Sequence, residues 1–331
     1  MPSRSVRRRA VPRIALLAAL LLLVAGCGGS GSGGGDGGDG QQVAEGFSVF
    51  VASFDLAAGT QRRFMAGLQL LDNRLVADGT VTMRFAWLGD QQRQDASAAP
   101  TITVTGRYLP VPGSPPPSDQ ARPRPVQPTQ SRGVYEAPVT FDRPGFWGVE
   151  VRADLDGVGL RRGTSQFQVH PDSLVVDVGD KAPASRNLTL ADKGVPKTAL
   201  DSRAQGGRPV PNPQLHRTTI AAAIAAHRPA VVVFATPVYC TSQFCGPVTD
   251  MVADLAKRYS DRADFIHVEI WRDFDKKEIA RAARQWLLRE GNLNEPWVFL
   301  IGADGRVAAR FDNVCTRGEL EPLLQRLPER T

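Results

Sequence analysis

The sequence has 331 residues, with 40 lysines and arginines against 34 aspartates and glutamates, and a net charge of +6. Five of the arginines and none of the acidic residues lie before Cys27, so the rest of the chain carries only +1. Without a basic excess, the composition argues against a nucleic-acid partner. The length beyond residue 42 predicts two domains.

Residues 1–26 have the pattern of an export signal. The five arginines precede a short apolar run, residues 14–25, which is too short to favour a transmembrane helix. The run ends in Val-Ala-Gly-Cys at residues 24–27, which resembles the lipobox of bacterial lipoproteins. This resemblance implies cleavage before Cys27 and lipid attachment to its thiol. The alternative is an ordinary cleaved signal peptide followed by a chance cysteine.

Residues 27–42 are rich in glycine and predict a flexible tether. We therefore expect a lipid-anchored protein on the extracytoplasmic face of a bacterial membrane. Disulfide bonds persist in that compartment. If Cys27 carries lipid, the remaining thiols are Cys240, Cys245 and Cys315.

Residues 43–171 predict an all-β domain, an antiparallel sandwich. Five segments alternate apolar and polar residues over a strand length: 47–52, 80–87, 101–108, 146–153 and 165–170. The proline-rich segment 110–130 predicts a long loop. Residues 143–147 resemble a turn-and-strand corner of immunoglobulin-like bacterial surface domains. No titratable cluster indicates catalysis here, so a binding or spacer role is expected.

Residues 174–331 alternate strands and helices. The patterns predict buried strands at 231–235 and 265–270, a helix from residue 246 to 259, and a helix from 276 to 290. Asp304-Gly305 predicts a hairpin turn, and Thr316 to Glu319 has the pattern of a capping box before a final helix.

This order of elements resembles the thioredoxin fold, and the resemblance covers residues 174–331. Cys245-Gly-Pro-Val248 is similar to the Cys-Gly-Pro-Cys active-site loop of that family, and Glu295-Pro296-Trp297 matches the place of its cis-proline. The fold class expected for the chain is thus an all-β antiparallel, immunoglobulin-like sandwich followed by an α/β thioredoxin-like domain.

The resemblance implies a thiol–disulfide oxidoreductase that exchanges disulfides with partner proteins and needs no cofactor or metal. It implies that Cys240 and Cys245 form the redox couple and that Glu295 and Pro296 bind the substrate. In this fold the loop before the last helix borders the active-site groove, so Cys315 is a candidate third thiol. A free or partly buried cysteine is the alternative for Cys315.

The spacing of the two cysteines constrains their placement. Residues five apart on one helix lie about 8.6 Å apart, beyond the range of a disulfide. If Cys240 and Cys245 pair, Cys240 must therefore precede the helix. By the Gly-Pro that follows it, we expect Cys245 to be the thiolate stabilised by the helix N-terminus and Cys240 to be the resolving residue. By loop length from the strand, Cys240 is instead closer to the position of the family's nucleophile.

Several residues depart from the family pattern. Val248 replaces the second cysteine of the Cys-Gly-Pro-Cys loop, and Val233 replaces the acidic residue that many thioredoxins bury beneath the pair. The chain could therefore be a non-catalytic binding module with a structural disulfide. A discriminating feature is whether both cysteines are buried beneath the first domain.

Two other activities fit less well. Pro237 and Thr241 match the peroxiredoxin pattern P-x-x-x-T-x-x-C, but the cysteine falls one position late, at Cys245. Copper-delivery proteins of this fold need C-x-x-x-C and a distant histidine. The cysteine spacing is wrong for them, and the four histidines, His170, His216, His227 and His267, show no ligand spacing.

Four further side chains are assigned ordinary roles. We interpret His267 as a packed strand residue, and Glu269 and Asp273 as solvated charges at a strand end. Arg310 could stabilise a thiolate, but a solvent-facing position on a strand is the preferred interpretation.

Overall fold

Two main sheets organise the chain in the computed structural model, which describes residues 44–91, 98–116, 122–289, 291 and 293–329. The protein is largely β-sheet with few helices. Below, residues 44–171 are called the β-rich half and residues 174–329 the α/β half. The domain boundaries at 43–171 and 174–331 stay a prediction.

The β-rich half forms one sheet of ten strands. The strands are β1 (Ala44–Glu45), β2 (Phe47–Val51), β3 (Gln61–Leu70), β4 (Leu75–Ala77), β5 (Thr80–Gly89), β6 (Ile102–Pro110), β7 (Arg124–Val126), β8 (Gly133–Thr140), β9 (Gly145–Leu155) and β10 (Gly159–Val169). Their order is β1-β10-β9-β5-β6-β8-β3-β4-β7, and β2 pairs with β3. Every pair is antiparallel except β1 with β10.

The aromatic residues of these strands share one core. The rings of Phe64, Phe85, Phe141 and Phe167 contact one another with centroids 4.8 to 6.1 Å apart. All four are buried, because the apolar faces of the strands turn towards a common interior. The antiparallel, all-β character predicted for this half is confirmed.

The sequence patterns missed parts of this sheet. The long strands β3 and β8 lack a clean alternation, since β3 begins Gln-Arg-Arg and β8 contains Pro138. The loop predicted over residues 110–130 is also partly wrong, because Arg124–Val126 forms β7 and pairs with β4. A terminal strand with a single neighbour tolerates the proline in β7.

The α/β half contains a four-stranded sheet and a small hairpin. The four strands are β11 (Ala230–Ala235), β12 (Asp264–Glu269), β15 (Trp297–Ile301) and β16 (Val307–Asp312), and the hairpin joins β13 (Trp271–Asp273) to β14 (Glu278–Ile279). The sheet order is β12-β11-β15-β16. Strands β11 and β12 are parallel, and the other two pairs are antiparallel.

Helices cover both faces of this sheet. They are α1 (Ile220–Ala225), α2 (Cys245–Tyr259), α3 (Arg281–Leu287) and α4 (Arg317–Gln325), with 3-10 helices at Lys197–Ala199, Ser202–Gly207 and Pro213–His216. Val231 and Val233 of β11 pack in a core with α2 and α4, whereas Val232 and Phe234 pack with α1 and α3. Successive side chains of a strand point to opposite faces of the sheet. Because both faces of β11 are covered, its sequence is one continuous apolar run.

The predicted helix over residues 276–290 is wrong in extent. Glu278–Ile279 is strand β14, and α3 spans only Arg281–Leu287. Lys277 has a φ of 56°, a left-handed conformation that no α-helix continues through. Pairing of Ile279 with Trp271 therefore overrides the helical pattern at the start of this segment.

Two other local predictions are confirmed. Asp304-Gly305 lies in the turn between β15 and β16, with Gly305 at a φ of 75°. Thr316 caps α4 through a capping box in which Glu319 accepts a hydrogen bond from the Thr316 N–H at 3.0 Å. Among the helices of the described residues, none is long and apolar enough to cross a membrane.

Buried ion pairs join the two halves. Arg310 of β16 donates to Asp55 at 2.7 Å, and its side chain and that of Asp55 are only 8% and 1% exposed. Arg310 also contacts Asp177 at 3.1 Å, and Asp177 accepts two hydrogen bonds from Arg62. The preferred interpretation of Arg310 as a solvent-facing residue is therefore wrong. It is buried between Asp55 of the β-rich half and Asp177 of its own half.

A second group of contacts lies beside this network. Arg63 donates to Glu319 at 2.7 Å and to the Val314 carbonyl at 3.0 Å. Asp312 accepts a hydrogen bond from the Phe54 N–H at 2.7 Å. Burial raises the pKa of Asp312, although the positive charge of Arg63 opposes that rise.

Replacing Arg310 with methionine should destabilise the protein by about 3–5 kcal/mol, because it leaves the Asp55 carboxylate buried without its cation. Urea unfolding followed by tryptophan fluorescence measures the free energy of unfolding. Lys257→Met is the matched control, since it breaks an exposed pair with Asp254 and should change stability little. Equal effects of the two substitutions would contradict a structural role for the Arg310 network.

Candidate functional site

A disulfide joins Cys240 to Cys245, with their Cα atoms 6.1 Å apart. Cys245 is the first residue of α2, and Cys240 lies in the loop that precedes the helix. Gln243, between them, has a φ of 61°, which turns the chain back towards the helix. The expectation that a disulfide between these residues requires Cys240 to precede the helix is confirmed.

The two sulfur-bearing residues differ in exposure. Cys245 is 0% exposed, whereas Cys240 is half-buried, and its Sγ lies 3.3 Å from the Ser242 hydroxyl. The cysteines are therefore not both covered by the β-rich half. Cys240 therefore keeps part of its surface exposed to solvent, whereas Cys245 does not.

The β-rich half contacts the loop between the cysteines. Phe244 packs against a small apolar cluster of residues from both halves: Met65, Val111, Val134 and Val314. Arg132 donates a hydrogen bond to the Gln243 side chain at 2.8 Å. These contacts hold one side of the loop and leave Cys240 accessible on the other.

Glu295 places a carboxyl group at the disulfide. A cis peptide bond joins it to Pro296, as expected from the sequence. One carboxylate oxygen of Glu295 lies within 4.8 Å of both sulfur atoms, and its Oε2 is buried without a hydrogen-bond partner. Burial, together with the nearby charge of Glu269, raises the pKa of Glu295 to about 8. Glu295 is therefore protonated at neutral pH.

The carboxyl group beside the disulfide does not come from strand β11. Val233 is fully buried in β11 and supplies no proton donor. The acid instead comes from the loop before β15, more than 60 residues later in the chain. Nothing in the local sequence around Glu295 indicates its burial, because the covering residues belong to other segments.

Glu269 is a second buried acid, and its interpretation as a solvated charge is wrong. It is 2% exposed and accepts hydrogen bonds from the N–H groups of Ser202 at 2.7 Å and Ile270 at 3.0 Å. Burial raises its pKa to about 7. Asp273 stays at the surface, where it pairs with Lys276.

Cys315 is a free cysteine in the core. It is 1% exposed and packs in the same apolar cluster as Cys245, just before α4. Burial and the nearby charge of Glu319 raise the pKa of its thiol well above the usual value. A buried, protonated thiol is a poor nucleophile, so this conformation does not present Cys315 for exchange.

A cluster of potential metal ligands lies apart from the disulfide. Asp201, His216 and His267 are fully buried, and one potential ligand atom from each lies within 4.8 Å of the others. The sequence spacing of the histidines gave no sign of this cluster, because its members come from three separate segments. The interpretation of His267 as merely a packed residue is therefore incomplete. The sulfurs of Cys240 and Cys245 are bonded to each other and offer no thiolate to a cation.

Comparisons of the chain with protein-family models, curated proteins and solved structures return no match.

Glu295→Gln should change how the stability of the oxidised protein depends on pH. The pKa of Glu295 is raised from 4.5 to about 8 on folding, so its carboxyl group favours the folded state fully below pH 4.5. That contribution is lost as the pH rises towards 8. We expect the stability of the unmodified protein relative to Glu295→Gln to fall across this window, measured by urea unfolding at a series of pH values.

The control for this experiment is Glu278→Gln, which changes an exposed carboxylate of β14. Its stability should follow that of the unmodified protein at every pH. A Glu295→Gln curve parallel to that of the unmodified protein would show that the carboxyl group titrates normally.

After reduction, Cys240 should react with iodoacetamide much faster than Cys315, because only Cys240 reaches the surface. Mass spectrometry of proteolytic peptides at several reaction times measures each rate. In denaturant the two residues should react at similar rates. Rapid alkylation of Cys315 in the folded protein would contradict its burial.

Proposed function

We propose that the chain is a thiol–disulfide oxidoreductase of the thioredoxin-like type, with Cys240–Cys245 as the exchanging disulfide. The observation that carries this proposal is the grouping of three features at one point. A half-buried cysteine, a helix N-terminus and a carboxyl oxygen without a hydrogen-bond partner meet at the disulfide. A purely structural bond needs none of these.

The arrangement of the α/β half supports a thioredoxin-like assignment. A strand leads into the cysteine loop and a long helix, and the next strand lies parallel to the first. A cis-proline then precedes an antiparallel hairpin, and a last helix packs beside α2. This is the order of elements that the resemblance in the sequence implies.

The first step begins with a thiolate of a partner protein. It attacks the Sγ of Cys240, the less buried of the two cysteines, and forms a mixed disulfide while the Cys240–Cys245 bond breaks. Cys245 leaves as a thiolate at the N-terminus of α2, where the free N–H groups and the helix dipole stabilise negative charge. Glu295, protonated at neutral pH, donates its proton to that thiolate.

The second step releases the partner. Its second thiolate attacks its own sulfur in the mixed disulfide and frees Cys240 as a thiolate. Two electrons have then moved from the partner dithiol to the chain, and the partner has become a disulfide. Oxidation of the reduced chain follows the same steps in reverse, with the Glu295 carboxylate accepting the proton of the Cys245 thiol.

The burial of Cys245 revises the expected roles of the two cysteines. The sequence favoured Cys245 as the attacking thiolate and Cys240 as the resolving residue. The exposure of the two residues supports the opposite order, in which Cys240 meets the partner and Cys245 leaves and resolves. Cys315 is not needed in either step.

The proposed partners are protein thiols and disulfides outside the cytoplasm. A lipid on Cys27 and the glycine-rich tether would hold the chain at the membrane surface, where such partners are exported. Cys27 lies outside the residues that the structure describes. The anchor therefore remains a proposal that depends on the sequence pattern.

A second candidate function is a binding module with a structural disulfide. The burial of Cys245 and the packing of Phe244 on the β-rich half favour it, since both fix the loop. The two candidates differ in the stability of the disulfide towards reduction. Structural disulfides in exported proteins have reduction potentials below about −300 mV, and exchanging ones lie above that value.

The reduction potential of the Cys240–Cys245 couple should therefore lie above about −300 mV, because the leaving thiolate is stabilised at a helix N-terminus. Equilibration with glutathione or dithiothreitol buffers, with the redox state measured by alkylation and mass spectrometry, gives the value. A potential well below about −300 mV would support the structural disulfide and remove the oxidoreductase proposal.

Glu295→Gln provides the kinetic counterpart of this measurement. It should slow reduction of the disulfide by a dithiol at pH 7 by about 100-fold, the lower end for loss of a general acid. The effect should shrink as the pH rises above 8, where Glu295 has lost its proton. Glu278→Gln serves again as the control, and equal rates for all three proteins would exclude Glu295 as the proton donor.

A further inference from the structure

The buried cluster of Asp201, His216 and His267 has no part in the proposed exchange reaction. Asp201 precedes the 3-10 helix Ser202–Gly207, His216 ends the 3-10 helix Pro213–His216, and His267 lies in β12. All three side chains are 0% or 1% exposed. Three segments that are distant in sequence thus bring two imidazoles and a carboxylate together in the core.

The hydrogen bonds of His267 define the state of its ring. Its Nε2 lies 3.1 Å from the carbonyl oxygen of Ala235, and a carbonyl can only accept, so Nε2 carries the proton. Nδ1 of the neutral ring then presents a lone pair. Nδ1 has no hydrogen-bond partner and lies 3.5 Å from Asp201 Oδ2. Two potential ligand atoms therefore lie side by side in a buried site.

His216 also lacks hydrogen-bond partners. Neither of its ring nitrogens has a hydrogen-bond partner, although the residue is fully buried. Buried polar groups are nearly always paired, and leaving one unpaired costs about 1–3 kcal/mol. A cation between the three side chains would satisfy the lone pairs of both histidines and of Asp201 together.

The distances fit a metal ion. Two ligand atoms about 2.0–2.1 Å from a tetrahedral Zn²⁺ lie about 3.3 Å apart. The 3.5 Å between His267 Nδ1 and Asp201 Oδ2 is close to that value and longer than an ordinary hydrogen bond. Every pair of ligand atoms in the cluster lies within 4.8 Å, so small side-chain rotations bring all three to one ion.

The groups around the cluster have the arrangement that supports metal ligands. Ligating histidines usually donate their other ring N–H to a carbonyl or carboxylate, as His267 does to Ala235. Arg203 donates to both carboxylate oxygens of Asp201, at 3.0 and 2.8 Å, and so fixes its orientation. Each carboxylate oxygen has a second lone pair, which leaves Oδ2 able to bind a cation as well.

We propose that Asp201, His216 and His267 bind a divalent transition-metal ion, with Zn²⁺ as the best match to two nitrogen ligands and one carboxylate oxygen. All three ligands are buried, and a tetrahedral ion would take its fourth ligand from water or another small molecule. The site ties together the two 3-10 helices and β12. It is separate from the disulfide and independent of whether the disulfide exchanges.

The proposed ion also stabilises the cysteine loop indirectly. Ser202, next to Asp201, accepts a hydrogen bond from the Val238 N–H at 3.1 Å, two residues before Cys240. Arg203 bridges Asp201 to Asp250 of α2, donating to Asp250 at 2.6 Å. A metal ion bound to Asp201 therefore holds residues 201–203 in place, and these residues contact the chain before Cys240 and helix α2 after it.

The test uses the purified chain with Cys240–Cys245 oxidised, so that these thiols bind no metal. The protein is stripped with a chelator, loaded with Zn²⁺ and desalted, and its zinc content is measured by plasma mass spectrometry. We expect about one ion per chain and a higher melting temperature in the loaded form. Retention of no zinc, with no change in melting temperature, would overturn the proposal.

X-ray absorption at the zinc edge identifies the ligands without any substitution. The expected spectrum has nitrogen and oxygen neighbours at about 2.0–2.1 Å with imidazole scattering, whereas a sulfur neighbour at about 2.3 Å would place the ion at cysteines and overturn the assignment. This measurement keeps the test decisive if a substitution in the core prevents folding.

Loss of a group that hydrogen-bonds to a metal ligand weakens metal binding by about 10–100-fold. His216→Gln removes a ligand itself, so it should weaken zinc binding by more than that. His227→Gln is the matched control, since His227 is exposed and lies outside the cluster. It should bind zinc as the unmodified protein does. Equal weakening by both substitutions, or by neither, would show that zinc is bound elsewhere.

Discussion

The buried network of Arg310, Asp55 and Asp177 fixes the relation between the two halves of the protein. Asp55 belongs to the β-rich half, and Arg310 to β16 at one edge of the smaller sheet. Charges this deeply buried are costly unless they are paired, so the two surfaces have one favourable arrangement. Beside the network, Asn313 donates its side-chain amide to the Ala52 carbonyl and its N–H to the Pro296 carbonyl. These two hydrogen bonds connect the β-rich half to Pro296, the residue next to Glu295.

The surroundings of the disulfide, the proposed exchange site, depend on this arrangement. The start of α2 provides a place for a thiolate, but proton transfer needs an acid beside it, and β11 has only Val233 there. Glu295 supplies that acid from the loop before β15. Its carboxyl group holds a proton at neutral pH because it is buried near a second acid, Glu269.

Features that follow from local patterns were predictable. The capping box at Thr316, the Asp304-Gly305 turn, the apolar strand β11 and the position of Cys240 before the helix all depend on residues close together in sequence. Predictions failed where strand pairing or ion pairing overrides the local pattern. The segment 276–290 has a helical pattern, but its first residues pair with β13 instead. Strand β3 alternates poorly, because its two arginines are used in ion pairs with the α/β half.

The sequence by itself determined that the chain contains a β-rich segment followed by alternating strands and helices, and that Cys240 and Cys245 could pair only across a helix start. Alternation, turn residues and helix geometry are short-range properties, so they depend on residues that are neighbours in the sequence. Only the tertiary structure decided which cysteine is exposed, that Arg310 and Glu269 are buried, that Glu295 lies at the disulfide, and that Asp201, His216 and His267 meet. Burial, charge pairing and pKa depend on groups brought together from distant parts of the chain, and no local pattern encodes that proximity.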